Sequence, residues 1–417
     1  MEPKERALWA RRAAEAVDEA EVIRLTRELV RIPSVYRPCD PEGNERRCAL
    51  WVRDVLADLG LDPRVDEVAP GRPNVVADWS PSGQAGPTLL FEGHTDVVTA
   101  GDPSAWSHPP FGAELVDGRI YGRGANDMKG GLAAALAALR ALKQAGLPLP
   151  GQVRLAALVD EEGMMEGVKT FIRAGLARDV DGAIICEPEQ NEVCLTQKGA
   201  MRVDVRFAGR MAHGAMPDQG ANPIPWAARF VERVAALEKE FRQELGRHPH
   251  LGPPTLTPTI LQAPAGGEAQ VNVVPGSARV ALDIRTVPRQ DHGLVRNRLE
   301  AILAGLQAED RDCRASLEVL EERPWTETDP HETVVLAVEA ACTLVGQPVV
   351  RGGVPGATDG TFLAAWADVP IVTLGPGNRY LPHQVDEYVE VDELVRAARI
   401  YAAAAVLFLT EPVNRER

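Results

Sequence analysis

The chain has 417 residues, of which 45% are hydrophobic, and a formal net charge of −15. This size and apolar content suit a large core and two or more domains. The negative charge argues against nucleic acid or an anionic membrane surface as a partner, although one or two arginines in a cleft are enough to bind an anionic small molecule.

The cysteines and the N-terminal segment predict a soluble, cytoplasmic protein. The six cysteines are widely spaced and form no Cys-x-x-Cys pair, so we expect reduced thiols instead of disulfides or a structural zinc knot. The first six residues are densely charged, and no apolar run approaches the roughly 18 residues of a membrane span or the core of a signal peptide. We therefore expect no membrane partner.

The first half of the chain alternates helices with apolar strands. Val22, Leu25 and Leu29 share one face of a predicted helix that ends before Pro33. The predicted elements that follow are strands at 74–79 and 88–92, an Ala/Leu-rich helix at 131–145, and strands at 153–159 and 183–186. Most of these strands are apolar enough to be buried on both faces, which predicts an α/β fold with a mostly parallel central sheet. Ligands bind beyond the carboxyl ends of the strands in such sheets.

The pattern changes at about residue 198. Residues 201–207 and 279–285 alternate apolar and polar side chains, which is typical of strands with one solvated face, and a predicted helix at 225–245 and a Pro-rich loop at 249–264 lie between them. The buried pattern returns later, with a predicted helix at 332–344 and a strand at 371–374. We therefore predict a catalytic domain formed by 1–197 and 323–417, with an α+β domain inserted at 198–322.

Acidic residues and histidines recur in five short motifs, each next to a likely strand end. The motifs are Gly93-His94-Thr95-Asp96, Gly124-Ala125-Asn126-Asp127, Asp160-Glu161-Glu162-Gly163, Cys186-Glu187-Pro188 and Leu381-Pro382-His383. Imidazole and carboxylate are ligands that zinc takes at catalytic sites, and a shared carboxylate can hold two ions about 3.5–4 Å apart. Taken singly, the first motif could be a turn and the third a solvated helix N-terminus. Together they predict a site for two metal ions.

These motifs, in this order, resemble the co-catalytic zinc metallopeptidases. That family includes acetylornithine deacetylase, succinyl-diaminopimelate desuccinylase, aminoacylase and carboxypeptidase G. The resemblance extends from about residue 20 to about residue 408 and is most specific at 93–98, 122–131 and 160–162. It implies a zinc-peptidase-like catalytic domain, an inserted lid domain that usually also forms a homodimer, and two Zn²⁺ ions per chain, for which Co²⁺ or Mn²⁺ are possible substitutes.

The resemblance also implies roles for individual residues of the catalytic domain. The expected metal ligands are His94 and Glu187 for one ion, Glu162 and His383 for the other, and Asp127 as the bridge between them. Glu161 resembles the general base, and Asp96 resembles the acid that orients the ligand histidine from outside the metal site. Cys186 is a conceivable soft ligand, but alternation along its strand points it away from Glu187, so we interpret it as a buried structural cysteine.

Further residues with implied roles lie in the inserted domain and near residue 358. His213 resembles the histidine that reaches the partner subunit's active site and donates to the oxyanion, with a polar turn residue as the alternative. Arg285 and Asn272 resemble the residues that hold the substrate carboxylate, although Arg285 could instead pair with Asp283 on the surface. Thr358 matches a family string that is either a loop near the substrate or a simple turn.

One position departs from the resemblance. Many relatives carry a small hydroxyl residue after the Glu-Pro pair, whereas this chain has Glu189. Its added negative charge could favour a cationic side chain such as that of ornithine, or it could face solvent.

The sequence therefore predicts a metal-dependent amide hydrolase that removes an acyl group from an N-acyl amino acid. A dipeptidase or carboxypeptidase of the same family, acting on a short peptide, is the alternative enzyme. A family member that binds without catalysis is the alternative from another class. The five ligand candidates and Glu161 are all present, which favours an enzyme.

Overall fold

The computed structural model describes residues 2–411. Met1 and residues 412–417, which form the outer ends of the predicted catalytic domain, lie outside the described residues. The described residues divide into two compact units. The first covers the described parts of Met1–Leu195, Thr328–Gly353 and Thr358–Arg417, and the second covers Thr196–Glu327 and Val354–Ala357.

The α-helices, in chain order, are α1 (Pro3–Glu15), α2 (Glu19–Val30), α3 (Arg46–Asp58), α4 (Lys129–Ala145), α5 (Glu166–Arg173), α6 (Pro223–Leu245), α7 (His292–Glu309), α8 (Thr333–Val345), α9 (Gly360–Ala367) and α10 (Val391–Leu409). Short 3-10 helices lie at Pro103–Ala105 and Pro217–Gln219.

The strands are β1 (Arg64–Ala69), β2 (Arg72–Trp79), β3 (Thr88–His94), β4 (Glu114–Val116), β5 (Arg119–Tyr121), β6 (Gln152–Leu158), β7 (Gly182–Ile185), β8 (Val193–Gln197), β9 (Gly199–Ala208), β10 (Ala212–His213), β11 (Thr255–Gln262), β12 (Val273–Val274), β13 (Ser277–Thr286), β14 (Arg314–Arg323), β15 (Thr326–Glu327), β16 (Arg351–Val354), β17 (Ile371–Thr373) and β18 (Tyr388–Glu390).

The main sheet of the first unit has the order β1-β2-β6-β3-β7-β17-β8, and β16 pairs with β8. The four central strands β6, β3, β7 and β17 are parallel. Strands β1 and β2 on one side and β8 on the other pair antiparallel. The predicted α/β class is therefore confirmed, and the sheet as a whole is mixed with a parallel centre.

The two faces of this sheet bury different sets of apolar side chains. Along β3, Leu89 and Phe91 join a core that includes residues of α2, α4, α8 and α10, whereas Leu90 joins a second core with residues of α5 and α9. Successive strand residues point to opposite faces, so a strand covered on both faces must be apolar throughout. This is why the predicted strands were continuous apolar runs, and they correspond to β2, β3, β6 and β7.

The second unit is built on an antiparallel sheet with the order β11-β13-β9-β14. Apolar residues of this sheet form a core with residues of α6 and α7, among them Trp226 and Leu299. The opposite face is polar, and there the buried Asp204 pairs with Arg206 at 2.9 Å and with Arg279. The predicted strands with one solvated face correspond to β9 and β13.

The prediction of a Pro-rich loop at 249–264 is wrong in part, because β11 occupies half of it. Proline cannot donate to a strand ladder, so it is tolerated at a sheet edge or beside a bulge. Strand β11 is an edge strand, and its register with β13 shifts between Pro258 and Ile260. The prolines therefore fit a strand that pairs on one side only.

The insertion was predicted at 198–322, and the second unit also takes in a short later segment, Val354–Ala357. Its roles as a lid and as a dimerisation domain stay predictions. None of the helices within residues 2–411 is both long and apolar enough to cross a membrane. The six cysteines are unpaired in this part of the chain, and all but Cys39 are buried.

A close backbone contact at the start of α4 joins two of the motif segments. A Cβ atom added to Gly131 would lie 1.9 Å from the carbonyl oxygen of Cys186. Helix α4 begins just after Asp127, and Cys186 directly precedes Glu187. The absence of a side chain at Gly131 therefore lets the segments of Asp127 and Glu187 approach each other.

Replacing Gly131 should test this contact. Alanine is preferred to glycine in a helix by about 1 kcal/mol, yet Gly131→Ala should lower the free energy of unfolding by about 3 kcal/mol because the backbone must move. The matched control is Gly305→Ala in α7, where the added Cβ would meet only the end of the Arg233 side chain at 3.2 Å. Calorimetry should show opposite signs, and stabilisation by both changes would contradict the contact.

Candidate metal centre

The topology of the sheet brings the motif residues together. His94 is the last residue of β3, Glu162 lies in the turn after β6, and Glu187 lies just after β7. These three strands are neighbours and parallel, so their carboxyl ends meet at one edge of the sheet. Asp127, just before α4, and His383, in the loop before β18, complete the cluster.

The five side chains form two groups that share one carboxylate. In the first group, His94 Nε2 lies 3.2 Å from Asp127 Oδ1 and 3.7 Å from Glu187 Oε1. In the second group, His383 Nε2 lies 3.4 Å from Asp127 Oδ2 and 3.1 Å from Glu162 Oε2. Within each group the possible ligand atoms lie within 4.8 Å of one another. Asp127 thus turns one oxygen toward each histidine, and the nitrogen and oxygen donors fit zinc or similar divalent ions.

The electrostatics of the cluster favour a bound cation. Burial raises the pKa of Glu187 well above its ordinary value, and the neighbouring charge of Asp127 raises it further. Burial and Asp127 also raise the pKa of Glu162. The pKa of Asp127 is lowered instead. Burial opposes its ionisation, but hydrogen bonds with His383 and His94 outweigh burial and bring the pKa below the ordinary value. Carboxylates crowded in this way repel each other unless positive charge lies among them.

Both histidines are held by acidic neighbours. Hydrogen bonds with Asp127 and Glu162 raise the pKa of His383 to about 10. Burial lowers the pKa of His94, but hydrogen bonds with Asp127 and Asp96 outweigh burial and bring it well above its ordinary value. A metal ligand must be a neutral imidazole, so metal binding at these residues must release protons.

Asp96 links His94 to the turn that carries Glu161 and Glu162. The Nδ1 atom of His94 lies 3.0 Å from the backbone oxygen of Asp96, which assigns the proton to Nδ1 and leaves Nε2 to face the cluster. The Asp96 carboxylate accepts hydrogen bonds from the backbone N–H groups of Glu161 (3.3 Å) and Glu162 (3.0 Å). Asp96 therefore contacts the imidazole with its backbone oxygen and, at 3.5 Å, with its carboxylate Oδ1. The same carboxylate holds the neighbouring turn.

Asp160 and Glu161 are buried, and their turn is bonded to its surroundings. Asp160, with a φ of 71°, accepts hydrogen bonds from the backbone of Met164 (3.1 Å) and Glu166 (3.2 Å), and Arg72 pairs with it at 2.7 Å. Glu161 is 8% exposed, and α5 begins only at Glu166. The alternative of a solvated helix N-terminus is therefore wrong.

Glu387 is a fully buried acid beneath Asp127 that was not among the predicted site residues. Its Oε1 accepts hydrogen bonds from three backbone N–H groups, those of Gly124 (2.9 Å), Asn126 (2.9 Å) and Asp127 (3.0 Å). Its Oε2 accepts one from Arg123. Burial and the charge of Asp127 raise the pKa of Glu387 to about 7, although Arg123 opposes this. The sequence signal available was weak: an acid four residues after His383, ahead of a short strand.

Three of the predicted site residues, His213, Asn272 and Arg285, belong to the second unit. His213 pairs with Val273 in the β10-β12 ladder, and the N–H of Gly214 donates to the oxygen of Asn272 at 2.7 Å, so His213 and Asn272 are close neighbours. Both side chains are exposed. Arg285 donates to both carboxylate oxygens of Asp283, at 2.7 and 3.2 Å. This is the pairing expected under the alternative in which Arg285 is a surface partner of Asp283. Their roles toward substrate stay predictions.

Two other candidates lie in the first unit. Thr358 is buried, and its Oγ1 accepts a hydrogen bond from the N–H of Gly360 at 3.2 Å, which is the geometry expected for a turn. Cys186 is buried with its Sγ 3.8 Å from the oxygen of Ile184. Among residues 2–411 it belongs to neither metal group, in agreement with its interpretation as structural.

The expectation that Glu189 faces solvent is wrong, whereas the expectation that it favours a cationic substrate side chain stays a prediction. Its side chain is buried, so it does not face solvent, and its Oε2 lies 3.0 Å from Nε of Arg379. Burial raises the pKa of Glu189 to about 7, and Arg379 opposes that rise. A carboxylate paired in this way with an arginine has little charge to offer a cationic substrate.

Comparison with known proteins places this centre in a family. The sequence model of peptidase family M20/M25/M40 matches residues 90–406, which is well over half of the chain. The chain belongs to this family. It is therefore a hydrolase of the metallopeptidase class, and the predicted resemblance is confirmed.

Relatives match over nearly the whole length. A succinyl-diaminopimelate desuccinylase of Cereibacter sphaeroides is 33% identical over 390 residues, which is 91% of this chain and 96% of that protein. The structure of aminopeptidase PepT from Bacillus cereus matches with a TM-score of 0.76 at 18% identity, covering 95% of this chain and all of that one. The YXEP protein of Bacillus subtilis, described as a dinuclear metal-binding peptidase of family M20, matches with a TM-score of 0.70 at 18% identity, covering 94% and 98%. At these identities the two structures support the fold alone.

Glu387 should control metal binding without contacting the metal. Glu387→Ala removes the acceptor that fixes the backbone of Asp127, and loss of such an outer partner typically costs about 10–100-fold in metal affinity. Titration of the metal-free protein with Zn²⁺ should show that loss. The matched control is Glu390→Ala, which removes a surface pair with Arg119 at 2.8 Å and should leave the affinity unchanged. Equal affinities for the two variants would contradict the role.

Proposed function

We propose that the protein is a dinuclear, metal-dependent amide hydrolase that removes an acyl group from an N-acyl amino acid. The observation that carries the proposal is the position of Asp127, with one carboxylate oxygen toward each of two ligand groups. The similarity to a desuccinylase at 33% identity supports an acylated amino acid as the substrate class. The unpaired cysteines support a cytoplasmic location.

The proposal assigns two Zn²⁺ ions to each chain, with Co²⁺ or Mn²⁺ as possible substitutes. One ion would be held by His94, Glu187 and Asp127, and the other by Asp127, Glu162 and His383. Divalent ions at these positions would polarise an amide carbonyl and make water more acidic.

Glu161 is assigned as the general base and acid. It directly precedes the ligand Glu162, and the bond from its backbone to Asp96 fixes the turn that carries it. Its carboxylate takes a proton from the attacking water and returns it to the amine as the carbon–nitrogen bond breaks. Asp96 acts with it by holding both the turn and the ring of His94.

The second unit supplies the groups proposed to recognise the substrate. Arg285 would exchange its bond with Asp283 for the carboxylate of the substrate, and Asn272 would add a neutral donor. His213 would donate to the oxyanion in the site of the partner subunit of a homodimer. Thr358 is proposed to belong to a loop of the first unit that lies near the substrate.

Glu161→Gln separates the chemistry from metal binding. If Glu161 moves the proton and is not a ligand, the variant should bind two Zn²⁺ ions per chain, as the wild type does, and lose about 10² or more in kcat. Elemental analysis measures the ions, and turnover of N-succinyl and N-acetyl amino acids measures kcat.

The same assays include dipeptides as alternative substrates. Faster turnover of dipeptides by the wild type would favour the peptidase alternative over a deacylase. Full activity in Glu161→Gln would move the base to another residue, and fewer than two ions in the wild type would contradict the dinuclear site.

Subunit mixing tests the assignment of His213. His213→Ala and Glu161→Gln should each be nearly inactive, since loss of one oxyanion donor costs about 10²–10³ in rate. After subunit exchange half the dimers are mixed, and half their sites carry neither change, so about a quarter of wild-type activity should return. Each variant exchanged with itself is the control. Proven exchange without recovery would mean that His213 does not act in the partner's site.

A further inference from the structure

An ion cluster beside the metal centre is not used by the proposed chemistry. Arg379 lies between two acids: its Nε is 3.0 Å from Oε2 of Glu189, and its Nη2 bonds to Oε2 of Glu192. The same Nη2 donates to the backbone oxygen of Glu189 at 3.4 Å. The side chains of Glu189 and Arg379 are 5% and 16% exposed, so the ion pair is largely buried. The Nε–H of Arg379 makes no hydrogen bond among the described residues, so Glu189 holds the arginine by charge, while Glu192 holds it by a hydrogen bond.

The cluster joins two segments that carry metal-ligand candidates. Glu189 follows Glu187 in the turn after β7, and Arg379 precedes His383 in the loop before β18. Backbone bonds join the same two segments, because the N–H groups of Glu189 and Gln190 donate to the oxygens of Gly375 (3.2 Å) and Gly377 (2.9 Å). The start of the His383 loop is therefore anchored to the segment of Glu187.

Beyond Arg379 the loop is bonded to itself. The N–H of Tyr380 donates to the side chain of Asn378 at 2.9 Å, and the N–H of Leu381 donates to the backbone oxygen of Asn378 at 3.0 Å. His383 follows with a φ of 67°, and its side chain is 53% exposed, compared with 0% for His94. Packing fixes His94, whereas His383 depends on how its loop is held.

The surroundings leave room for this cluster. A Cβ atom added to Gly352, in β16, would lie 3.0 Å from Oε2 of Glu192 and 3.0 Å from Sγ of Cys194. The acids and the guanidinium thus fill a space that a side chain at Gly352 would restrict. A planar guanidinium can bind two carboxylates in fixed directions, which a lysine ammonium does less well.

We propose that Arg379, held by Glu189 and Glu192, is a positioning residue for His383 and thereby sets the metal affinity of the group formed by Asp127, Glu162 and His383. This rests on the proposed dinuclear site. It accounts for Glu189, the acid directly after the Glu187-Pro188 pair that departs from the family resemblance: Glu189 anchors the arginine and does not contact substrate.

The test is a metal titration of Arg379→Met. Metal-free wild type and variant are titrated with Zn²⁺ by calorimetry and with Co²⁺ by absorption. The wild type should bind two ions. In Arg379→Met one ion should bind about 10–100-fold more weakly, the usual effect of losing an outer partner, while the other keeps its affinity. Arg379→Lys should restore part of the loss, because a cation remains between the acids.

The matched control is Arg351→Met, which removes an arginine that pairs with Glu339 at 2.6 Å on the surface of the same unit and should bind both ions as the wild type does. If Arg379→Met does not fold, as judged by circular dichroism, Glu192→Gln removes one anchor only and should weaken the same ion to a smaller extent.

Three results would overturn the inference. Wild-type affinity for both ions in Arg379→Met, or in Glu192→Gln when Arg379→Met does not fold, would exclude the positioning role. Normal metal binding with a raised KM would make Arg379 a substrate contact instead. A wild type that binds fewer than two ions would contradict the proposed dinuclear site itself. The wild-type titration is therefore measured first, so that this outcome is distinguished from an effect of the variants.

Discussion

The structure depends on holding three carboxylates and two imidazoles close together at one edge of a largely buried sheet. Asp127, Glu162 and Glu187 would repel each other there, and burial adds to the cost of their charges. The raised pKa values of Glu162 and Glu187 express that cost. Two divalent ions would offset this cost. The repulsion among the carboxylates in the absence of metal therefore favours metal binding.

The fold keeps these ligands in place mainly through acids that bind backbone N–H groups. Glu387 fixes the backbone of Asp127, Asp96 fixes the turn of Glu162, and Asp160 fixes the following residues of that turn. A carboxylate that accepts several N–H bonds locks the chain at that point. The second group includes His383, which lies on an exposed loop, and we propose that the ion pair of Arg379 with Glu189 positions that loop.

Much of the first unit could be predicted from the sequence because its signals are local. Strands buried on both faces are continuous apolar runs, and β3 and β7 were recognised in that way. Three of the ligand residues, His94, Glu162 and Glu187, lie at or just after the ends of parallel strands, where the topology gathers them. The outer part of the site could not be predicted in the same way. Glu387 and Arg379 contact residues that are far away in the chain. Pro258 favoured the prediction of a loop, whereas the segment is an edge strand that pairs with β13.

The most direct measurement of the central claim is a crystal structure of the protein grown with zinc, with anomalous diffraction recorded at the zinc edge. The account predicts two peaks per chain, both next to Asp127, with one between His94 and Glu187 and the other between Glu162 and His383. A single peak, or two peaks that do not share Asp127, would contradict the dinuclear centre on which the proposed function rests.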